Sequence, residues 1–176
     1  LYDRPDDVRR SLAEIVDAWE AAFSRFMEIV TEHGAGATSW LHAWSGLPYT
    51  VPTCDFNAMI GPDQFAQFAL PNLQDQGRRA GRCLFHLDGP DAARHAQALA
   101  GSTIDAIQFT PGAGSTGALP KIPMFRMLQE AGKPILVIAT AEEVPELLRS
   151  LDPRGTALFV EDLPDQRAAE ELEGLV

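Results

Sequence analysis

The sequence predicts an α/β fold of the (β/α)8 barrel type, in which this chain supplies about six βα units after one long helix. Short apolar segments alternate with amphipathic segments along most of the chain, as is typical of βαβ units and a parallel sheet. Two of the apolar segments, 83–87 and 104–109, run into polar residues followed by proline and glycine. Barrel enzymes carry their reactive side chains at such carboxyl ends of strands.

The first predicted element is one amphipathic helix from Pro5 to about residue 32. Proline suits the first helical turn, and the apolar residues between Val8 and Val30 keep helical spacing. Gly34 follows as the residue that ends the helix. The predicted strands cover residues 37–44, 52–58, 82–86, 104–109, 134–139 and 157–160. The later predicted helices cover residues 62–79, 91–99, 122–130, 142–151 and 165–175.

A complete barrel has eight strands within typically about 250 residues, which is more than this chain contains. The 176 residues are 45% hydrophobic, enough to bury a sizeable core in one domain. We therefore expect a single barrel domain over residues 1–176, with the opening strands of the barrel missing. The alternative is an open α/β sheet.

The charge and the cysteine content limit the classes of partner and compartment. The formal net charge of −11 argues against nucleic acid and anionic membranes, because phosphate groups need a cationic surface. No apolar segment approaches the roughly 18 residues of a membrane span. Two cysteines are too few for a disulfide framework. These features predict a cytoplasmic protein that acts on a small-molecule substrate.

His86 and Asp88 form the first candidate catalytic site. They stand two residues apart at the end of a predicted strand, so both side chains project to the same side. Imidazole and carboxylate groups bind zinc and similar divalent ions, and they also suit proton transfer or the orientation of a polar substrate. The structural alternative is an Asp88 that caps the next helix beside a structural His86.

An aromatic cluster near the start of the chain is a candidate substrate-binding wall. Trp40, His42 and Trp44 alternate along the predicted 37–44 strand, and Tyr49 follows closely. Such spacing lines a pocket for a flat or apolar ligand, or else fills the interior of the barrel.

Asp55 and Gln108 are further candidates because each ends a predicted strand. A carboxylate such as Asp55 needs a partner there, unless it only caps a loop, and the Gln108 amide is expected to reach the mouth of the barrel. The glycines of residues 112–117 match a dinucleotide fingerprint in spacing, but Pro120 prevents a helix from starting after them, so we expect a lid or an anion-binding loop. His33 and His95 are expected on solvated helix surfaces.

Three motifs resemble the uroporphyrinogen decarboxylase superfamily, which includes corrinoid-linked methyltransferases. The motifs are Cys54-Asp55-Phe56-Asn57-Ala58-Met59-Ile60-Gly61-Pro62 with Phe65, Phe68 and Pro71, then His86-Leu87-Asp88-Gly89-Pro90, then Ile104-Asp105-Ala106-Ile107-Gln108 with Pro111-Gly112. The resemblance covers nearly the whole chain and corresponds to about the later half of a family member. It implies a (β/α)8 barrel.

In the methyltransferase branch, the resemblance implies a zinc ion that activates a thiol and is held by a His-x-Cys strand end and a later cysteine. His86 falls on the histidine and Asp88 on the first cysteine, and the later ligand falls near Glu161 or Asp162. Carboxylates replace thiolates, so this ligand set is harder than that of the family. A corrinoid protein is the partner that the resemblance implies.

The decarboxylase branch uses no metal and holds a tetrapyrrole through residues from the beginning of the barrel, which this chain lacks. Asp55 falls on a serine that touches the substrate there, and its charge would repel a carboxylate-rich tetrapyrrole. We therefore expect a methyltransferase-like enzyme that transfers a methyl group between a small donor or acceptor and a corrinoid or thiol. The alternatives are a metal-free decarboxylase and a non-catalytic half-barrel that self-associates or pairs with its missing half.

Overall fold

The computed structural model describes residues 1–34, 36–112, 114–161 and 163–175. The chain divides into two compact units. Unit 1 comprises Leu1–Phe85 and Ser102–Asp105, and unit 2 comprises His86–Gly101 and Ala106–Val176. Among the described residues, no helix is both long and apolar enough to cross a membrane.

Unit 1 begins with the long helix that the sequence predicts. Helix α1 spans Pro5–Glu32, with proline in its first turn and a left-handed Gly34 just beyond its end. On α1, Trp19 and Phe23 stack with their ring centres 4.9 Å apart. The predicted helix is therefore confirmed at both ends.

The second helical segment of unit 1 is continuous but changes its winding. Helix α2 spans Pro62–Gln64, a π-helical turn spans Phe65–Ala69, and helix α3 spans Leu70–Ala80. Pro71 has no N–H with which to continue an α-helical ladder, and the wider turn just before it accommodates that loss. The predicted 62–79 helix is confirmed.

The two strands predicted before residue 60 are wrong. Within the described residues 36–60, the strands are Ala37–Thr38 (β1) and Trp44–Ser45 (β2), which pair antiparallel with each other, and Thr50 forms an isolated parallel bridge with Cys83. The chain turns back between them because the Ser39 carbonyl accepts the His42 N–H at 3.0 Å. Within the predicted 52–58 strand, Asp55–Met59 is a 3₁₀ helix. A turn in the first predicted strand and a 3₁₀ helix in the second thus replace the strands that the sequence pattern predicts.

The sheet of unit 2 has four strands in sequence order. Strand β3 spans Leu84–Asp88, and its residues 86–88 lie in unit 2; β4 spans Ala106–Thr110, β5 spans Ile135–Thr140 and β6 spans Thr156–Glu161. Neighbours follow the order β3-β4-β5-β6, and the β4–β5 and β5–β6 pairs are parallel. The predicted α/β class with a parallel sheet is confirmed, with four strands in that sheet where the sequence predicted six.

Helices follow the strands of unit 2 as the sequence predicts. Helix α4 spans Ala96–Ala100 after a 3₁₀ turn, α5 spans Ile122–Glu130, α6 spans Val144–Ser150 and α7 spans Gln166–Glu173. A sheet whose strands keep their sequence order, joined by right-handed crossovers, has its helices on one face. Phe109 and Phe125 meet edge to face with centroids 5.4 Å apart, which places α5 against the sheet.

The two faces of this sheet differ in how completely their side chains are buried. Five residues of the face that carries Phe109 are each at most 3% exposed: Ile107, Phe109, Ile135, Val137 and Ala139. On the other face, the register aligns Gln108 with Leu136 and Ala157, and burial falls from a fully buried Gln108 to an exposed Ala157. The second face is therefore the one on which polar side chains of the sheet lie.

Candidate functional site

A row of three polar side chains lies on the less covered face of the unit 2 sheet, near the carboxyl ends of β3 and β4. The His86 Nδ1 shares a hydrogen bond with Gln108 Oε1, and Gln108 Nε2 donates to Thr110 Oγ1 at 2.9 Å. His86 is 9% exposed and Gln108 is fully buried. Gln108 and Thr110 stand two residues apart on one strand, so the pleat places them on the same face.

This row determines which nitrogen of His86 carries the proton. An amide oxygen can only accept, so Nδ1 is the donor in its hydrogen bond with Gln108. In neutral imidazole the lone pair is then on Nε2. Nε2 is therefore the atom of His86 that can accept a proton or bind a metal ion.

Asp88 lies on the same strand, two residues after His86, and is exposed. The next helical turn, Ala92–His95, is preceded by Asp91. The structural alternative in which Asp88 caps that turn is therefore wrong. Asp88 instead provides an exposed carboxylate at the end of β3.

Glu161 lies far from this pair. It ends β6 and is paired in register with Thr140. Strands β3 and β6 are three spacings apart in the sheet order, which is about 14 Å. In the described part of the chain, no three histidine, cysteine, aspartate or glutamate side chains lie close enough to hold a metal ion. Asp162, the other predicted position of the later ligand, lies outside the described residues.

The described residues therefore supply two of the three predicted ligands together. A catalytic zinc typically has three protein ligands and an open position. His86 offers Nε2 and Asp88 offers a carboxylate on the same side of β3, whereas Glu161 does not join them. A resident zinc thus does not fit the described residues alone.

Glu143 is a buried carboxylate that the sequence analysis missed. It is 8% exposed and accepts from the backbone N–H groups of Ala118 at 2.6 Å, Leu119 at 3.1 Å and Thr140 at 3.0 Å. These contacts tie the loop after β4 to the end of β5. The only sequence signal was a Glu142-Glu143 pair just before a helix, and it does not show which carboxylate is buried.

The glycine-rich loop packs too closely for larger residues at two positions. Gly112 has φ +81°, and a Cβ there would meet Gly89 Cα at 3.0 Å. Gly117 has φ +85°, and its Cβ would collide with the Glu143 carboxylate. Helix α5 starts only at Ile122, as expected from the prolines. Ala113 in this loop lies outside the described residues.

The aromatic candidates of unit 1 do not share one strand face. Trp40 lies in the turn and is 58% exposed, His42 has φ 57°, and Trp44 is 72% exposed. The Tyr49 hydroxyl donates to the Ala43 carbonyl at 2.5 Å. The predicted alternation along one strand is wrong because the chain reverses within it.

A groove of about 630 Å³ nevertheless lies beside two of these candidates. Phe26 and Val30 of α1 line it together with Trp40 and Tyr49. This volume falls in the range of small-molecule sites, about 300–1,000 Å³. Trp40 and Tyr49 are thus the members of the aromatic group that border a concave surface.

Asp55 does not end a strand. It is exposed and begins the 3₁₀ helix Asp55–Met59. Burial, with a smaller contribution from the Asp55 charge, raises the pKa of the neighbouring Cys54 thiol although a backbone hydrogen bond from Asn57 lowers it in part. Burial, followed by the charge of Asp105, raises the pKa of Cys83 to about 12. Both thiols are therefore protonated at neutral pH, consistent with packing roles.

The remaining histidines divide between surface and core. His33 is exposed, as predicted, and its Nδ1 lies 2.7 Å from the Ile29 carbonyl. The prediction for His95 is wrong, because His95 is completely buried. It ends the 3₁₀ turn Ala92–His95, directly before α4, in which Leu99 is also completely buried.

Comparisons with protein-family models, with curated proteins and with solved structures found no match for this chain. The chemistry of the described side chains is therefore the basis for assigning a function. Among them, the row His86, Gln108 and Thr110 combines burial with a defined proton position. Gln108 does not end its strand as predicted, because β4 continues to Thr110, and His86 is likewise the middle residue of β3.

Proposed function

We propose that this chain belongs to a (β/α)8-barrel enzyme of the uroporphyrinogen decarboxylase superfamily and that it serves methyl transfer to or from a small molecule. The observation that carries the proposal is His86, held in the middle of β3 with its lone pair on Nε2, two residues before Asp88 ends the strand. Barrel enzymes carry out their chemistry at the carboxyl ends of their strands.

The sheet of unit 2 supports the barrel part of the proposal. Its strands keep their sequence order, as barrel walls do, whereas doubly wound sheets reverse their strand order. One face is tightly packed and the other carries polar side chains. In a closed barrel, the second face would point inward.

The chemistry we propose for His86 is proton transfer during methyl transfer to a thiol. Nε2 takes the proton of the thiol, and the sulfur attacks the methyl carbon of a donor CH₃–X. The C–X bond breaks and its electron pair leaves with X. The imidazolium then returns the proton to X where X is a base, or to water where X is a corrinoid cobalt(I). Asp88, exposed at the strand end, would orient the substrate by accepting a hydrogen bond. The implied corrinoid protein would carry the methyl group when bound.

The zinc ion that the resemblance implies would need a third ligand from outside the described residues. Metal content is therefore the first experiment, measured on the purified protein with His86→Ala and with His33→Ala as a matched surface control. About one zinc per chain in the wild type and in His33→Ala, lost in His86→Ala, would support a metal-bound form of the site. Absence of metal from all three proteins would restrict His86 to acid–base chemistry.

The second experiment tests the reaction with methylcobalamin as the methyl donor and a small thiol as the acceptor. We expect thiol methylation to fall by about 10²- to 10⁴-fold in His86→Ala, the range for a lost general acid–base group, and to be unchanged in His33→Ala. Equal rates in wild type and His86→Ala would refute the assignment. Binding of a porphyrinogen-like ligand without methyl transfer would favour the metal-free decarboxylase.

Association is a second candidate function of the chain, favoured by unit 1. Five of its exposed large apolar side chains are Tyr2, Phe26, Trp40, Trp44 and Met59, each more than half exposed. Phe26 and Trp40 line the same groove, and contiguous exposed apolar surface marks interaction sites in soluble domains. We propose that unit 1 associates with a second copy of the chain.

A further inference from the structure

We propose that Gln108 is a positioning residue that holds His86 in the Nδ1–H tautomer, with the Gln108 amide anchored by Thr110. The proposal concerns the site of the proposed function and gives Gln108 a role other than contact with substrate. Its test measures the ¹⁵N signals of the His86 ring directly and needs no substrate.

The first support is the placement of Gln108. It lies on β4 beside β3 and is completely buried. Its two amide ends are both used within this row: Oε1 faces His86 and Nε2 faces Thr110. A buried amide whose oxygen and nitrogen both form hydrogen bonds with neighbouring side chains can orient those side chains.

The second support is the direction of the amide. A glutamine amide beside an imidazole can present either its oxygen or its nitrogen, and the two choices give opposite tautomers. Thr110 Oγ1 accepts from Gln108 Nε2 at 2.9 Å. The structure places the amide oxygen toward His86 and the amide nitrogen toward Thr110, and with this direction the proton of the imidazole lies on Nδ1.

The third support is the kind of acceptor. Histidines that act as bases or ligands are commonly oriented through their second nitrogen by a carboxylate or a carbonyl. The amide oxygen of Gln108 is an acceptor of this kind, and it shares its hydrogen bond with Nδ1 of His86.

The test is nuclear magnetic resonance of protein labelled with ¹⁵N-histidine, with the His86 signals assigned by their loss in His86→Ala. Above the pH at which the ring titrates, we expect pyrrole-type Nδ1 and pyridine-type Nε2 in the wild type. Gln108→Met removes the acceptor at similar size, so we expect both nitrogens to shift to exchange-averaged positions. Gln108→Glu keeps an acceptor, so we expect Nδ1 to stay protonated.

Gln97→Met is the matched control, because Gln97 is exposed on α4, and it should leave the His86 signals unchanged. If Gln108→Met does not fold, Thr110→Val is the second variant, and partial averaging is expected as the amide loses its fixed direction. A pyridine-type Nδ1 in the wild type would overturn the proposal, as would unchanged signals in a folded Gln108→Met. A fixed tautomer in a protein without methyl transfer would support this proposal and count against the proposed function alone.

Discussion

Unit 2 buries polar side chains with partners, whereas unit 1 leaves large aromatic side chains exposed. In unit 2, Gln108 is completely buried and Glu143 is 8% exposed, and both are hydrogen-bonded. In unit 1, Trp40 is 58% and Trp44 is 72% exposed. A sheet with a fixed register gives each side chain a defined face and a defined neighbour, so polar groups can be paired. The 36–60 segment has a two-residue strand pair and one isolated bridge, Thr50 with Cys83, so fewer of its side chains have a face fixed by a sheet.

The largest effect that we expect from this difference is at Glu143. Glu143→Ala leaves three backbone N–H groups without their carboxylate acceptor, and hydrogen bonds to charged groups are among the strong ones. We expect the free energy of unfolding to fall by about 3 kcal/mol, measured by urea denaturation.

Glu142→Ala is the control for Glu143→Ala. Glu142 is the adjacent acid and is exposed, so we expect a change within about 0.5 kcal/mol. Equal losses in the two variants would show that general charge, rather than the anchoring of the loop after β4, explains the effect.

The ion cluster formed by Arg79, Asp17, Glu20 and Asp75 in unit 1 is more exposed than Glu143. We therefore expect it to contribute less than Glu143 to the free energy of unfolding. Arg79 on α3 contacts Asp17 at 2.7 Å and Glu20 at 2.5 Å on α1, and Asp75 at 2.9 Å on its own helix. Arg79→Met keeps much of the apolar stem but removes the charge. We expect a lower urea midpoint at pH 7, by less than in Glu143→Ala, because partly solvated ion pairs are screened.

The pH dependence of this effect follows from Asp75. Burial acts to raise its pKa, but hydrogen bonds and charge from Arg79 and Arg78 outweigh burial and hold the pKa below the ordinary 3.8. A lowered pKa gives stabilisation that is present above the ordinary value and is lost as the pH falls through the lowered one. The difference between wild type and Arg79→Met should therefore shrink below about pH 4. A constant difference down to pH 2 would contradict this account.

The sequence predicts an element well when that element depends on contacts within its own segment of the chain, and poorly when it depends on a distant segment. Helix α5, Ile122–Glu130, matches its prediction at both ends, because helical periodicity is a property of one segment. The 37–44 strand fails although its aromatic residues alternate. A strand needs a partner, and a local pattern does not show whether one exists.

The candidate site divides in the same way. The two-residue spacing of His86 and Asp88 predicts a shared side, and both residues lie within β3. The pairing of His86 with Gln108 joins residues 22 apart in the chain and depends on how two strands align. The burial of Glu143 depends on a loop that folds back over it, which no local pattern encodes.

A substitution at Trp44 should have a small effect on folding stability, and it also tests association through unit 1. Trp44→Ser should change the free energy of unfolding by only about 0.5 kcal/mol, because the side chain is 72% exposed and surface substitutions have small effects. We expect the wild-type chain to form dimers or larger species in size-exclusion chromatography with light scattering, and Trp44→Ser to shift them toward the monomer. Glu142→Ala, at an exposed acidic position of unit 2, should leave the distribution unchanged. A wild type that stays monomeric at high concentration would show that the exposed aromatic residues of unit 1 do not join copies of this chain. Their exposure would then be a difference in packing between the two units and would not indicate association.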